Sequence, residues 1–534
     1  MTPVSLRRLG GLAAGAALVL SGCSDEGSSE SGGSGTPSSG GEITYATSAD
    51  PICVDPNQTD LTASRDIART FAASTLQADP ETGEILPWLA TEWSSNDDAT
   101  EFSFTFRDDV TFSDGDVFDA TAFQTFLDGV VALGGKAVNA STYLEGYEGT
   151  TVVDDTHATV SFSAPNASFL QALTTVNLAV LSPSTYAETT PEERCLGELA
   201  GAGPFVLESF TPAQSVEVTK RDGYDWPSGL DQHEGEAYLD KITFLVVTEA
   251  GQRVGGLQSD SVQGFNQVAP QDEPALEEAG FQLLTANNPG TVSEYLTNNS
   301  GPVLSDPAVR EAIQLGIDNE EYRDTLLLPR INLATSILSS TTPHYTDFSE
   351  YLQHDPAEAE RVLDEAGWEP GSDGIRVKDG QRLTVEVLNG QSDGNTAHEL
   401  RAQQLEKIGV ELTIREVSRA EMLAALDSGE YDFVPYGFTR ADAAALNMHF
   451  TTKRNNPLHL EPSVLDDHLA AADAAADPDD RQQAVDQAVE HILSNHLVIV
   501  FTEQSIAHAF SPQVKDVSWQ PGVQISFYDA WLDS

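Results

Sequence analysis

Apolar side chains recur along this chain at two spacings, and each spacing marks a different element. In EFSFTFRDDV, Phe102, Phe104 and Phe106 alternate with polar residues. That period of two puts three aromatic rings on one face of a strand. Val160 and Phe162 in ATVSFSA, and Val216 and Val218 in SVEVTK, repeat the pattern. KITFLVV (241–247) and HLVIVF (496–501) are more continuously apolar and read as strands buried on both faces.

Helices are punctuated clearly in the second half. DPAVREAIQLGID places Asp306 as N-cap with Pro307 in the first turn. DPAEAERVLDEAGW repeats the device with Asp355 and Pro356, and Gly367 is placed to end the helix. SRAEMLAALDSGE offers Ser418 and Glu421 as a capping box and Gly429 as the stop. From residue 383 the order is LTVEVL, TAHELRAQQLEKIG, VELTIREV, SRAEMLAALDSG, YDFVPY. That is strand–helix–strand–helix–strand, the pattern of an α/β lobe with largely parallel strands. The first half is richer in strands and turns. Two unlike lobes are expected, with the cleft between them as the default ligand site.

The N-terminus follows neither spacing. MTPVSLRRLGGLAAGAALVLSGC has a short basic region, Arg7 and Arg8, then an apolar run too short to span a bilayer. Residues 1–22 read as a signal peptide. Leu20-Ser21-Gly22-Cys23 matches a bacterial lipobox, in which the Cys23 thiol carries the lipid. An ordinary signal with an incidental cysteine is the alternative. The arginine pair hints at twin-arginine export, which Leu6 and Leu9 fit poorly. Residues 24–41 are almost all Ser, Gly, Thr, Pro, Asp and Glu. Such a tract buries too little apolar surface to offset its ordering entropy, so 23–41 is expected to be a lipidated cysteine and a flexible tether. No later stretch has the length and apolarity of a membrane helix. The remaining chain, about 490 residues, is too long for one core.

Charge narrows the partners. With 84 Asp and Glu against 27 Lys and Arg the formal net charge is −57. A nucleic-acid partner is excluded, because a phosphate backbone demands a basic surface. The acids are spread along the whole chain, which fits a solvated surface better than a steering field for a cationic ligand. Beyond Cys23 the cysteines are Cys53 and Cys195. In an exported protein a pair is most simply a disulfide, and two buried free thiols are the alternative.

No catalytic motif is present. The chain lacks a G-x-S-x-G elbow, a P-loop and a dinucleotide fingerprint. GAGPF (201–205) lacks a third glycine. His398-Glu399 opens HELRA without the second histidine of a zinc-protease helix, and His491 and His496 are five apart, off a shared helical face. No cofactor, no metal and no enzymatic activity are expected.

The stretch LPWLATEWSSNDDATEFSFTFRDDVTFSDGDVFDA (86–120) resembles the N-terminal signature of the family 5 extracellular solute-binding proteins, the peptide- and nickel-type receptors of ABC importers. FRDDVTFSDG is its most specific piece. The resemblance continues in the family's order through 151–173, 201–225, 238–247, 296–322, 355–368 and 405–433. It implies a type II periplasmic-binding-protein fold, α/β, with two lobes around a ligand cleft. Lobe I would comprise 42–80, 181–290 and 504–534; an extra subdomain 81–180; and lobe II 291–503. The lobes would close on an oligopeptide or related small solute and dock on ABC permease subunits served by cytoplasmic ATPases. The protein would be a monomer on the extracytoplasmic face of the cell membrane, held by its lipid. A ligand-binding receptor for a sensor system and a hydrolase on a similar fold are the alternatives. There are departures: LQSDSVQ (257–263) replaces the family's usual LQSGEVD, and Asp318-Asn319 replaces an Asp-Arg.

The resemblance also implies site residues. Asp442, in YGFTRADAAALNMHF (436–450), matches the aspartate that pairs with a peptide ammonium. A buried carboxylate is costly unless a cation partners it. Asp442 could instead pair with Arg440 or Arg454, and Arg440 could meet a ligand carboxylate bidentately. Phe438 stands for the family's displaced aromatic. Asp50, Ile52, Tyr295, Thr297, Asn298 and Tyr436 match other cleft-lining positions. His344 and His449 would be the histidines of a nickel–chelator site.

Overall fold

The computed structural model describes residues 36–59, 61–80, 82–137, 139–390, 395–454 and 456–533. The expected signal peptide, Cys23 and most of the tether lie outside the described residues. The end of the tether departs from expectation. Gly40 N donates to Tyr238 O at 2.8 Å, and Asp240 N to Gly41 O at 2.8 Å, so the chain is tied down before the first strand begins at Glu42. Their backbone groups are taken up by a neighbouring segment rather than by water.

Two sheets organise the two lobes. The seven-stranded sheet of lobe I places Glu42–Thr47 between Lys241–Val246, parallel in full register, and Gly264–Phe265. Ser505–Phe510 returns to this sheet from near the C-terminus and pairs with Gln282–Asn287. Apolar side chains cover both faces, Tyr45 and Phe244 on one and Ala46 and Phe265 on the other. Lys241–Val246 is an interior strand, but it alternates instead of being buried throughout. Ile242 and Phe244 are inside, while Leu245 is 37% exposed. The continuous run KITFLVV therefore overstates the burial of this strand.

The five-stranded sheet of lobe II contains the strands expected from residue 383 onward. Thr384–Asn389 runs parallel to Glu411–Glu416 and to Phe433–Tyr436. Glu294–Thr297 is antiparallel to Phe433–Tyr436 and to Val498–Val500, so the sheet is mixed. Tyr295, Val387 and Phe433 pack to one side, and Leu296, Val434 and Val500 to the other. The caps are those the sequence announces. Asp306 accepts from Ala308 N, Asp355 from Glu358 N, and Ser418 and Glu421 form a capping box closed by Gly429 in the left-handed region.

A third sheet of four strands, in the order 90–95, 101–106, 157–162, 147–154, carries Phe102, Phe104 and Phe106. Their rings meet Phe123 of the helix Ala120–Leu133 and Phe169, with centroids 4.8–6.2 Å apart. One continuous apolar core runs from these rings to Tyr45, Phe244 and Phe527. The four-stranded sheet thus shares its core with the seven-stranded one. Cys53 and Cys195 are joined by a disulfide across a sequence separation of 142.

Two crossings connect the large sheets. Residues 288–293 lead from Gln282–Asn287 to Glu294–Thr297, and residues 501–504 lead back. They hydrogen-bond to each other through Phe501 N to Ser293 O and Asn288 N to Gln504 O, at 2.9 and 2.8 Å. Glu503 is buried between them and accepts from Asn332 Nδ2 at 2.9 Å and Ser340 N at 2.8 Å. A paired double crossing of this kind is where a two-lobed protein bends.

Candidate functional site: the cleft between the lobes

The strand Phe433–Tyr436 ends beside the crossings, and the loop after it is held there by the backbone. Phe438 N donates to Thr291 Oγ1 at 3.0 Å, and Gly290 bridges to Thr439. Gly290 has φ +109°, and a Cβ there would lie 2.0 Å from Phe438 O, so only glycine allows this approach. The loop then delivers Arg440 and Asp442. Arg440 Nε donates to both Asp442 oxygens at 3.0 and 3.1 Å. Asp442 Oδ1 also accepts from Ala444 N at 2.8 Å, capping the short helix Ala443–Met448.

Arg440 reaches out of lobe II. Its Nη1 donates to Thr142 Oγ1 at 3.2 Å, and its guanidinium lies 4.3 Å above the Tyr143 ring. Burial alone would lower its pKa, but Asp442 and Tyr143 raise it above the ordinary value. Arg481 crosses in the same direction, donating to Ala167 O at 2.7 Å and Ser168 Oγ at 2.9 Å. Arg454 pairs with Glu145 at 2.9 Å. Asp473 accepts from Asn447 Nδ2 at 2.8 Å, and burial pushes its carboxyl up to about 6 against the pull of Arg481 and Arg454.

Two cavities meet here. A chamber of about 530 Å³ lies against the end of the strand Gln282–Asn287, the start of the crossing after it and the hairpin of Ser518–Gln520 with Gln524–Ser526, lined by Asp79, Thr285, Asn287, Thr341, Trp519 and Gly522 among others. Trp519 Nε1 donates to Thr285 O at 3.1 Å, and its ring packs edge-on against His508 at 4.9 Å. His508 in turn pairs through Nδ1 with Tyr45 Oη at 2.7 Å, and burial pushes its imidazole down to about 3, keeping it neutral. A narrower cavity shares Gly522 with the chamber and is lined by Arg65, Tyr143, Asn177, Phe438 and Arg440. The site is therefore a largely polar chamber, with Asp79 and Trp519 in its lining, beside a narrow end lined by two arginines. A further cavity of about 440 Å³ lies on the outer face of the four-stranded sheet, with no lining group from either larger sheet.

The structure brings Arg440, Asp442 and Phe438 together, with Tyr436 next to them on the strand. Tyr436 packs against His449 at 4.4 Å. It does not bring the other expected residues to the cavities. Tyr295 is fully buried in the core of lobe II, its hydroxyl 2.5 Å from His398 Nδ1 and its ring against Phe433 and Phe501. Thr297 is buried with it, and Asn298 Nδ2 donates to Gly429 O and Tyr431 O. Asp50 accepts from Ala213 N at 3.0 Å, and Ile52 is 67% exposed. Alternation decides Tyr295: on that strand its side chain faces away from Glu294 and Leu296. His344 bonds to Gln482, and among the described residues no group of three or more His, Cys, Asp or Glu could hold a metal ion.

Sequence reasoning missed Trp519, Asn287, Thr341, Arg65 and Arg481. Only Arg65 and Arg481 left a signal, because each base stands out in so acidic a chain. Glu294 was also missed. Its carboxyl is buried, and no cation pairs with it among the described residues. Burial pushes it up to about 8, with Thr291 pulling the other way, so it is uncharged at neutral pH.

Fold and cleft define a two-lobed α/β binding protein. The chain belongs to the bacterial extracellular solute-binding proteins, family 5, whose middle region matches residues 84–457. The family supplies the solute-binding components of ABC importers. The glutathione-binding protein GsiB of Salmonella paratyphi A is 24% identical over 512 residues, covering 92% of this chain and 94% of that protein. Among solved structures, NikA from Brucella suis in complex with Fe(III)-EDTA superimposes with a TM-score of 0.79 at 18% identity, covering 92% of this chain and 100% of NikA. A dipeptide-binding protein from Pseudoalteromonas sp. SM9913 in complex with Met-Leu does so with a TM-score of 0.75 at 19% identity, over 92% and 100% of the two chains. At these identities the structural likenesses establish the fold. No helix among the described residues is long and apolar enough to cross a membrane.

Proposed function

We propose that the chain is a lipid-anchored receptor, not an enzyme, that captures an oligopeptide or related small solute between its lobes and delivers it to an ABC permease. The observation that carries this reading is the chamber of about 530 Å³ beside the double crossing, which shares Gly522 with a narrower cavity lined by Arg65 and Arg440. That volume suits one drug-sized ligand or a short peptide. The relatives' ligands support the class: glutathione for GsiB, Met-Leu for the dipeptide-binding protein, Fe(III)-EDTA for NikA.

In this reading 291–503 moves as lobe II against 42–80, 181–290 and 504–534, and 81–180 rides with lobe I. Arg440, Arg454 and Arg481 then hold the closed form, because each bonds across to the 81–180 segment. Cys23 carries the lipid and the polar tract after it lets the receptor range from the membrane. Native mass spectrometry of the purified protein should detect a retained small molecule. Calorimetry with di- and tripeptides should then give saturable binding that falls at least tenfold in Asp442→Ala. Absence of binding by every peptide tested would refute the peptide class.

A further inference from the structure

Glu503 stands on the return crossing, 3% exposed, and ties the last residue of the strand Gln282–Asn287 to the 332–340 segment. Its Oε1 accepts from Ser340 N at 2.8 Å. Its Oε2 accepts from Asn287 Nδ2 at 2.5 Å and from Asn332 Nδ2 at 2.9 Å. Glu503 N donates to Asn332 O at 3.0 Å, and Thr341 Oγ1 to Asn287 O at 3.1 Å. Asn287 and Thr341 both line the chamber, so Glu503 braces the wall beside the crossing from behind. It also settles what that wall presents. Three N–H donors face its two oxygens, so it acts there as an acceptor, and the amide beside it must turn its NH2 group inward. Asn287 has spent Nδ2 on Glu503 and keeps the acceptor Oδ1 for the chamber. Thr341 has spent its hydroxyl proton on Asn287 O and keeps only lone pairs. Asp79, in the same lining, adds a carboxylate. Trp519 has spent its one N–H on Thr285 O. None of the described lining residues is Lys, Arg or His.

We infer that Glu503 is a positioning residue that sets specificity: by fixing the Asn287 amide it makes the wall beside the crossing a row of acceptors, which selects a ligand that carries an N–H or O–H donor at that point. The selection acts through Asn287, because Glu503 is not itself in the chamber lining. A ligand group that only accepts leaves Asn287 Oδ1 unpaired in a site that closure desolvates, and that is costly. The same network dictates the effect of Glu503→Gln. Ser340 N can only donate, so the substituted amide keeps its oxygen there and turns its NH2 group toward Asn287 and Asn332. Asn332 is exposed, so its amide can turn. Asn287 turns as well, and its Nδ2 then faces the chamber. One donor placed behind the wall thus inverts the wall's polarity. This rests on the solute-receptor reading and adds to it the group that the ligand must carry.

The test is calorimetry on the purified protein with trialanine and three analogues, each with one donor exchanged for an acceptor. In one analogue a keto oxygen replaces the ammonium group; in the other two an ester oxygen replaces one amide N–H. In the wild type one of these exchanges should weaken binding at least tenfold. In Glu503→Gln that same exchange should cost less than threefold, with a thermal melt as the folding control. Asn287→Ala, at a half-buried position, removes the acceptor itself and should level the same exchange; it decides the matter if the first variant does not fold. If no exchange costs the wild type tenfold, or if neither variant lowers that cost, the inference is overturned and the receptor reading stands. If trialanine does not bind, the peptide reading falls, and the wall is then read without a ligand. Neutron diffraction from deuterium-exchanged crystals should place the Asn287 amide deuterons toward residue 503 in the wild type and toward the chamber in Glu503→Gln. Deuterons on the chamber side in the wild type, or the same orientation in both proteins, overturn the inference.

Discussion

Replacing Glu294 by Gln keeps the side-chain shape and removes a proton-binding group from the middle of lobe II. The magnitude follows from the burial. The carboxyl has an ordinary value of 4.5 and is pushed up to about 8 in the folded protein by burial, with Thr291 pulling the other way. The native state therefore binds more protons than the unfolded chain wherever the pH lies between those values. Stability contributed by the protonated group is complete below the unfolded value and is lost as pH rises toward the folded one. The loss is about 2.5 kcal/mol between pH 5 and pH 7, and about 3.5 kcal/mol between pH 5 and pH 8. Asp66, Asp231 and Asp473 are raised to about 7, 6 and 6 and slope the same way, so the wild-type curve alone does not isolate Glu294. The difference between wild type and Glu294→Gln does, because the variant changes one group. Urea midpoints measured from pH 5 to pH 8 should converge at the acid end. They should separate progressively above it, with the variant the more stable at pH 8. Parallel curves over that range would refute the reasoning.

Cys53→Ser, or reduction of the wild type, opens a covalent loop with a sequence separation of 142. The expected loss is about 4–5 kcal/mol in the chain-entropy model, read as a lower urea midpoint; a change below ~1 kcal/mol would contradict it. Trp519→Ala removes the aromatic wall of the chamber and should weaken ligand binding at least tenfold with little change in melting temperature, since Trp519 is only half-buried. Cys23→Ser should move the protein from the membrane fraction to the medium, and continued cofractionation with lipid would exclude the anchor.

The parts of this protein that were legible in advance are those set by neighbours along the chain. Phe102, Phe104 and Phe106 share a face because strands alternate, and Asp306, Asp355 and Ser418 cap helices through bonds that span two or three residues. The resemblance along nearly the whole chain extended this to the fold and to the loop that carries Arg440 and Asp442. Tyr295 shows where such reasoning stops. Its position on a cleft-proximal strand was readable, but the face it presents to Phe433 and Phe501 was settled by sheet packing.

The site itself belongs to the tertiary structure. Trp519 meets Thr285 across 234 residues, and Arg440 meets Thr142 across 298. No local period encodes which of 27 bases converge on one cavity in a chain of net charge −57. The sequence alone determined the elements, because propensity, caps and alternation act over a few residues, and its resemblance to the family carried the solute-binding fold. Only the packing of the sheets decided which side chains face the cleft, because those contacts join segments that the chain keeps far apart.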